Sequence, residues 1–123
     1  MAYLNDRVFD EGLSVLDLEA DAVHVTSAEA TDYTEATSTY TLGLSSSLSI
    51  AAPSDRTGGG RKVAVSAVSD GDITGTGTVT HYALVDTVNS RLLATAALTA
   101  SQSVTNGNTF TLATFDIGIP DPT

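Results

Sequence analysis

Through the second half of the chain, apolar side chains fall on alternate positions, a period of two that suits an extended strand with one buried face. Val63, Val65 and Ala67 share one face of residues 61–68. In residues 79–86, Val79, His81, Ala83 and Val85 lie on one side and Thr80, Tyr82 and Leu84 on the other. Both faces carry large groups, so this strand is expected to be central. Leu92, Ala94, Ala96 and Leu98 resume the alternation after Thr87-Val88-Asn89-Ser90, which predicts a hairpin between 79–86 and 91–98. Asn106-Gly107 is the strongest turn signal, because a type I′ turn needs positive φ at both central residues. It predicts a second hairpin, joining strand 101–105 to strand 108–117. In that last strand Phe110 and Leu112 share a face while Phe115 and Ile117 have the opposite parity, and a bulge near Ala113-Thr114 would restore one face. The glycines of Asp70-Gly71-Asp72 and Thr74-Gly75-Thr76-Gly77-Thr78 offer turns, a bulge or close backbone approach.

The first half is less regular. Leu4 and Val8 have helical spacing, so residues 3–10 read as a short helix or extended arm, while Leu13, Val15, Leu16 and Leu18 fit neither period. Val23 and Val25 flanking His24 mark a strand at 21–27. Asp32 and Glu35 have capping-box spacing, which suits one helical turn before a strand at 38–43. Ser45-Ser46-Ser47 and residues 53–60 read as exposed loops. The 19 Thr and 13 Ser among 123 residues, with few Lys, Gln and Arg, agree with pleated, half-exposed surfaces. The expectation is an all-β chain forming a single domain over residues 1–123, a β-sandwich or small β-barrel of about seven or eight strands judged from turn spacing. Residues 1–20 form an irregular N-terminal arm in this reading.

Charge narrows the partners. Five Lys and Arg against fifteen Asp and Glu give a net charge of −10. Residues 1–60 carry ten acids and two bases, or −8, and the remainder carries −2. Such a surface repels phosphate backbones, so no nucleic-acid partner is expected. No window approaches the roughly 18 apolar residues of a membrane span, and the N-terminus lacks a leader pattern, so a soluble, unprocessed chain without a membrane partner is expected. There is no cysteine, which removes thiolate chemistry, disulfides and Cys-ligated zinc.

The candidates for chemistry are few. His24 and His81 are the only imidazoles and form no metal-binding pair, so each is read as a packed strand residue. Asp17, Glu19 and Asp21, or Asp70 and Asp72, offer hard oxygens to calcium, but without an EF-hand pattern they read as solvated charge. Gly58-Gly59-Gly60-Arg61-Lys62 lacks the phosphate-loop spacing and its following helix, and reads as a hairpin loop with a basic end able to meet an acidic neighbour. No nucleophile elbow or paired-carboxylate context occurs, so no catalytic, cofactor or metal residue is assigned and the chain is not expected to be an enzyme.

The run from Gly77-Thr78-Val79-Thr80-His81-Tyr82-Ala83-Leu84-Val85-Asp86 through Arg91-Leu92-Leu93-Ala94-Thr95-Ala96-Ala97-Leu98 to Ser103-Val104-Thr105-Asn106-Gly107-Asn108-Thr109-Phe110-Thr111-Leu112 resembles small structural proteins of tailed bacteriophages and prophages. The likeness covers roughly residues 61–119, and more loosely the segments around Leu4-Asn5-Asp6-Arg7-Val8-Phe9-Asp10 and Ser38-Thr39-Tyr40-Thr41-Leu42-Gly43. It implies a virion component made in the bacterial cytoplasm that acts by binding other subunits. The form expected first is a capsid decoration or cement protein, a homo-trimer on the capsid exterior that ties major capsid protein subunits together. On this reading Leu4, Val8, Phe9 and Leu13 of the arm, with Arg56, Arg61 and Lys62 of the loop, are the expected partner contacts. The alternative is a tail or tail-fibre component binding the host surface, with Tyr33, Tyr40 and Tyr82 as sugar-facing aromatics.

Overall fold

The computed structural model describes residues 3–4, 12–57 and 60–119. Its elements in chain order are β1 (Tyr3–Leu4), α1 (Ser14–Glu19), β2 (Ala22–Thr26), a π-helical turn (Glu35–Thr39), β3 (Thr41–Ser45), β4 (Ser54–Asp55), β5 (Arg61–Val65), β6 (Val68–Ile73), β7 (Gly77–Asp86), β8 (Arg91–Val104), β9 (Thr109–Leu112) and β10 (Phe115–Ile119). Seven strands form one antiparallel sheet in the order β1-β8-β7-β2-β3-β6-β9, and β10-β5-β4 form a small second sheet. The large sheet curls into a half-barrel, so the all-β expectation holds.

The predicted hairpin of β7 and β8 is the spine of the sheet, with Ala83 opposite Thr95 and Leu84 opposite Ala94. Its turn is tied by Asp86, whose carboxylate accepts hydrogen bonds from the Val88 and Asn89 amides at 3.0 and 3.2 Å and from the Asn89 side chain at 2.8 Å. Burial pushes the Asp86 pKa up, but the Asn89 and Val88 bonds and Arg91 outweigh it and hold the carboxyl below its ordinary range. β7 lies between β8 and β2, as its two-faced pattern predicts.

Between the two sheets, Val23, Leu84 and Leu93 meet Val63, Val65 and Ile117, with Leu13, Val15 and Leu16 closing one end. Leu16, Leu84 and Leu93 are fully buried. Burying a side chain of that size stabilises by about 1.5–3 kcal/mol. An exposed ion pair such as Arg61–Asp55 contributes up to about 1 kcal/mol, so the apolar layer holds the sheets together. The other face of β2, β7 and β8 is covered by residues 28–40, where Ala30, Ala36, Tyr33 and Tyr40 pack on Ala22, Ala83, Val85 and Leu92. Every residue of β2 is consequently buried.

Several local expectations are corrected. The helix stands at Ser14–Glu19, where the sequence shows neither period: six residues make fewer than two turns, and only Val15 and Leu16 are buried. Residues 3–4 form an edge strand and 5–11 lie outside the described residues, so the reading of 3–10 is only partly covered. Asp32 Oδ1 accepts from the Glu35 amide at 2.8 Å as a cap should, but the Glu35 carboxylate turns back to the Thr31 amide and hydroxyl, and these bonds hold its pKa below the usual range. The Tyr40 amide then reaches Glu35 O, an i to i+5 bond, and the strand begins at Thr41 instead of 38.

The chain breaks between β5 and β6, and Asp70-Gly71-Asp72 lies within β6. Gly71 permits a close approach: a Cβ there would collide with the Phe110 ring atoms Cε1 and Cζ. The parity change after Leu112 is no bulge. Residues 113–114 carry the chain from β9 in the large sheet to β10 beside β5, and Thr114 Oγ1 donates to Val65 O at 2.7 Å at the crossing. Asn106-Gly107 is a turn, closed by Asn108 N to Thr105 O at 3.1 Å, but positive φ occurs only at Gly107 (94°). That is the type II pattern. It joins β8 to a strand that pairs with β6, so the second hairpin is not formed.

Candidate functional site

The predicted basic loop is a β4–β5 hairpin, with Asp55 opposite Arg61 and Ser54 opposite Lys62. This register places cation beside anion. Arg61 donates to Asp55 Oδ1 at 2.6 Å and to Pro53 O at 3.2 Å. Lys62 reaches across to β10 and donates to Asp116 Oδ2 at 2.9 Å. Arg56, Thr57, Lys62, Asp116 and Gly118 line a cleft of about 390 Å³. The structure therefore brings Arg56 and Lys62 together, turns Arg61 to the strand edge, and neutralises Arg61 and Lys62 with acids of the chain itself. The bare cationic end expected for docking is replaced by two ion pairs, because the strand pairing that sets the loop also delivers Asp55 and Asp116.

Of the arm residues, Leu4 pairs opposite Ala94 on the β8 edge. Val8 and Phe9 lie outside the described residues. Leu13, expected to face a partner, is 5% exposed and packed in the core. It forms part of the support for the small sheet and is not offered to a neighbour.

The imidazoles sit in strands as packed residues. His24, 5% exposed, shares a 2.8 Å hydrogen bond between Nδ1 and Thr41 Oγ1, and burial lowers its pKa. His81 Nδ1 meets Thr80 Oγ1 at 2.8 Å, and Nε2 lies 3.9 Å from Glu29. Two of the acids weighed for calcium are occupied differently. Asp21 accepts from the Thr87 amide and hydroxyl, and Glu19 lies 3.5 Å from Arg91, so both brace the β7–β8 turn. Among the described residues no three His, Asp or Glu side chains come together to hold a metal. The three tyrosines do not form one face: Tyr33 and Tyr40 pack on the alanine-rich side of the sheet, while Tyr82 joins the other core.

The surface that sequence reading missed lies where β8 and β9 fail to pair. Residues 98–104 and 109–113 frame a groove of about 540 Å³. A second hollow of about 350 Å³ shares Leu98, Thr99, Leu112 and Ala113 with it and runs on to Tyr82 and Phe115. The Tyr82 and Phe115 rings are 4.5 Å apart at 45°, and burial pushes the Tyr82 phenol up to about 12, so it remains a neutral hydrogen-bonding group. The available signal was charge: between Arg91 and Asp116, residues 92–115 contain no ionisable side chain. Chemically the groove offers hydroxyls, amides and apolar contact, and suits binding more than proton transfer.

Comparison of the chain with protein families, with curated proteins and with solved structures finds no match.

Proposed function

We propose that this chain is a bacteriophage capsid decoration, or cement, protein that works by binding the outer shell and not by catalysis. The observation that carries the reading is the resemblance of residues 61–119 to small phage structural proteins. The geometry is compatible with it: a β body stiffened by two packed sheets presents its groove and its ion-paired loop outward. The proposed mechanism is mass action, since a ligand that binds only the assembled shell lowers the free energy of that state. Leu4, Val8 and Phe9 of the arm supply apolar contact to the major capsid protein, and the cleft at Arg56 and Lys62 supplies polar contact. The net charge of −10 keeps free copies apart over most of their surface before assembly. A homo-trimer on the capsid exterior is the proposed assembled form.

The test is the copy number of this chain relative to the major capsid protein in purified virus-like particles. Hundreds of copies in fixed ratio to capsid subunits support the reading. A few to a few tens of copies transfer the protein to the tail, and absence from particles overturns a virion role.

A further inference from the structure

β8 and β9 are consecutive strands joined by a tight turn, yet they lie at or near opposite edges of the sheet and share no ladder. On β8, Ala97 stands opposite His81 and Gln102 opposite Val79, so residues 98–101 face Thr80 alone and bulge from the sheet. Among the described residues, the outer edge of β8 is covered by β1 only at Ala94 and Thr95, and the outer edge of β9 has no strand partner. Amides and carbonyls on such edges are groups that a further strand can satisfy. The pairing of β1 shows that this side of β8 accepts one.

Proteins usually block open edges with lysine, proline or inward-pointing charge. Residues 92–115 contain none of these, although the chain as a whole carries fifteen acids and five bases. The contrast bears on who binds. Two copies at −10 each repel wherever carboxylates would be apposed, and burying unpaired carboxylates adds a desolvation cost. At the neutral seam two copies can meet without either penalty. Thr99, Ser101, Ser103, Thr109 and Thr111 are exposed along it and tolerate an extended neighbour on either side.

We propose that the seam between β8 and β9 is a self-association surface, where the seam of a second copy of this chain docks edge-on and continues the sheet. The capsid reading is not needed for this, although an oligomer formed here would serve it. If each copy uses the same edge the product is a two-fold dimer; if β8 of one copy meets β9 of the next, it is a ring where the rotation closes and an open filament where it does not.

The test is sedimentation velocity on the isolated full chain over a range of concentrations. Wild type is expected to form a dimer, a ring or a filament. Ser103→Lys and Thr111→Lys place a charge at exposed positions on the two lips, and each is expected to shift the protein to monomer with an unchanged circular dichroism spectrum. Val88→Lys, at the exposed turn between β7 and β8, is the control and leaves association intact. A wild type that stays monomeric at every concentration overturns the proposal, as do folded lysine variants that associate like the parent. A monomer that still decorates particles removes this inference and leaves the capsid reading standing.

Discussion

Replacing Thr95 by valine should stabilise the protein. Thr95 sits in β8 between Ala83 of β7 and Tyr3 of β1, is 2% exposed, and its Oγ1 has no hydrogen-bond partner among the described residues. A buried hydroxyl without a partner costs about 1–3 kcal/mol. Valine has nearly the same shape, branches at the same carbon and suits a strand, so the substitution removes the penalty without opening a cavity. A net gain of about 1–2 kcal/mol is expected. With an unfolding entropy of about 2.1 cal/mol/K per residue, 123 residues give about 260 cal/mol/K. The gain then corresponds to a rise in Tm of about 4–8 °C. Thermal melts followed by circular dichroism read it directly, and urea titration should show a higher midpoint at unchanged slope. Thr95→Ser is the counterpart: it keeps the hydroxyl, loses a methyl, and should melt lower than wild type. An unchanged or lowered Tm for Thr95→Val would refute the reasoning, because the hydroxyl would then have a partner.

Gly43→Ala should lose about 2–3 kcal/mol in urea unfolding, because the added Cβ would lie 2.5 Å from the Asp72 carbonyl oxygen while both strands are held by the pairs Gly43–Ile73 and Leu44–Asp72. Gly107→Val should cost about 1–3 kcal/mol by forcing a β-branched residue to φ +94°; an unchanged melt would contradict the turn. Acidification should destabilise the fold through His24: burial lowers its folded pKa, so the unfolded chain takes up the proton first. The His24 contribution is complete above the ordinary imidazole range and is lost as pH falls through that range toward the lower folded value, a slope that His24→Gln should flatten in Tm measured against pH. Asp86 adds a second loss at lower pH, since its folded pKa is depressed; its contribution is complete above the ordinary carboxylate range and disappears as pH falls through the folded value, a step that Asn89→Ala should weaken in acid titrations.

The sequence by itself located the central hairpin and its turn, but not every inward face: Ala67, grouped with Val63 and Val65, is exposed, and a register shift in β8 puts Leu92 and Ala94 in different core layers. Alternation in 79–86 and 91–98, with Thr87-Val88-Asn89-Ser90 between them, suffices for the central hairpin because neighbouring side chains on a strand must point opposite ways. Composition likewise settles the net charge and the absence of thiol chemistry. Tertiary structure decided which strands pair. Nothing local to Thr109-Phe110-Thr111-Leu112 distinguishes β8 from β6 as its neighbour; Gly71, which leaves room for the Phe110 ring, lies 39 positions away. The same holds for the opposite parity of Phe115 and Ile117, which is met by a change of sheet, and for six-residue α1, which is helical because Val15 and Leu16 close the core. Lys62 appears in the sequence as part of a basic cluster, but β10 brings Asp116 to 2.9 Å from it across 54 residues. Periodicity reports the direction of a side chain relative to its own backbone, whereas pairing, ion partners and open edges depend on contacts between distant segments, and those arise only when the chain closes on itself.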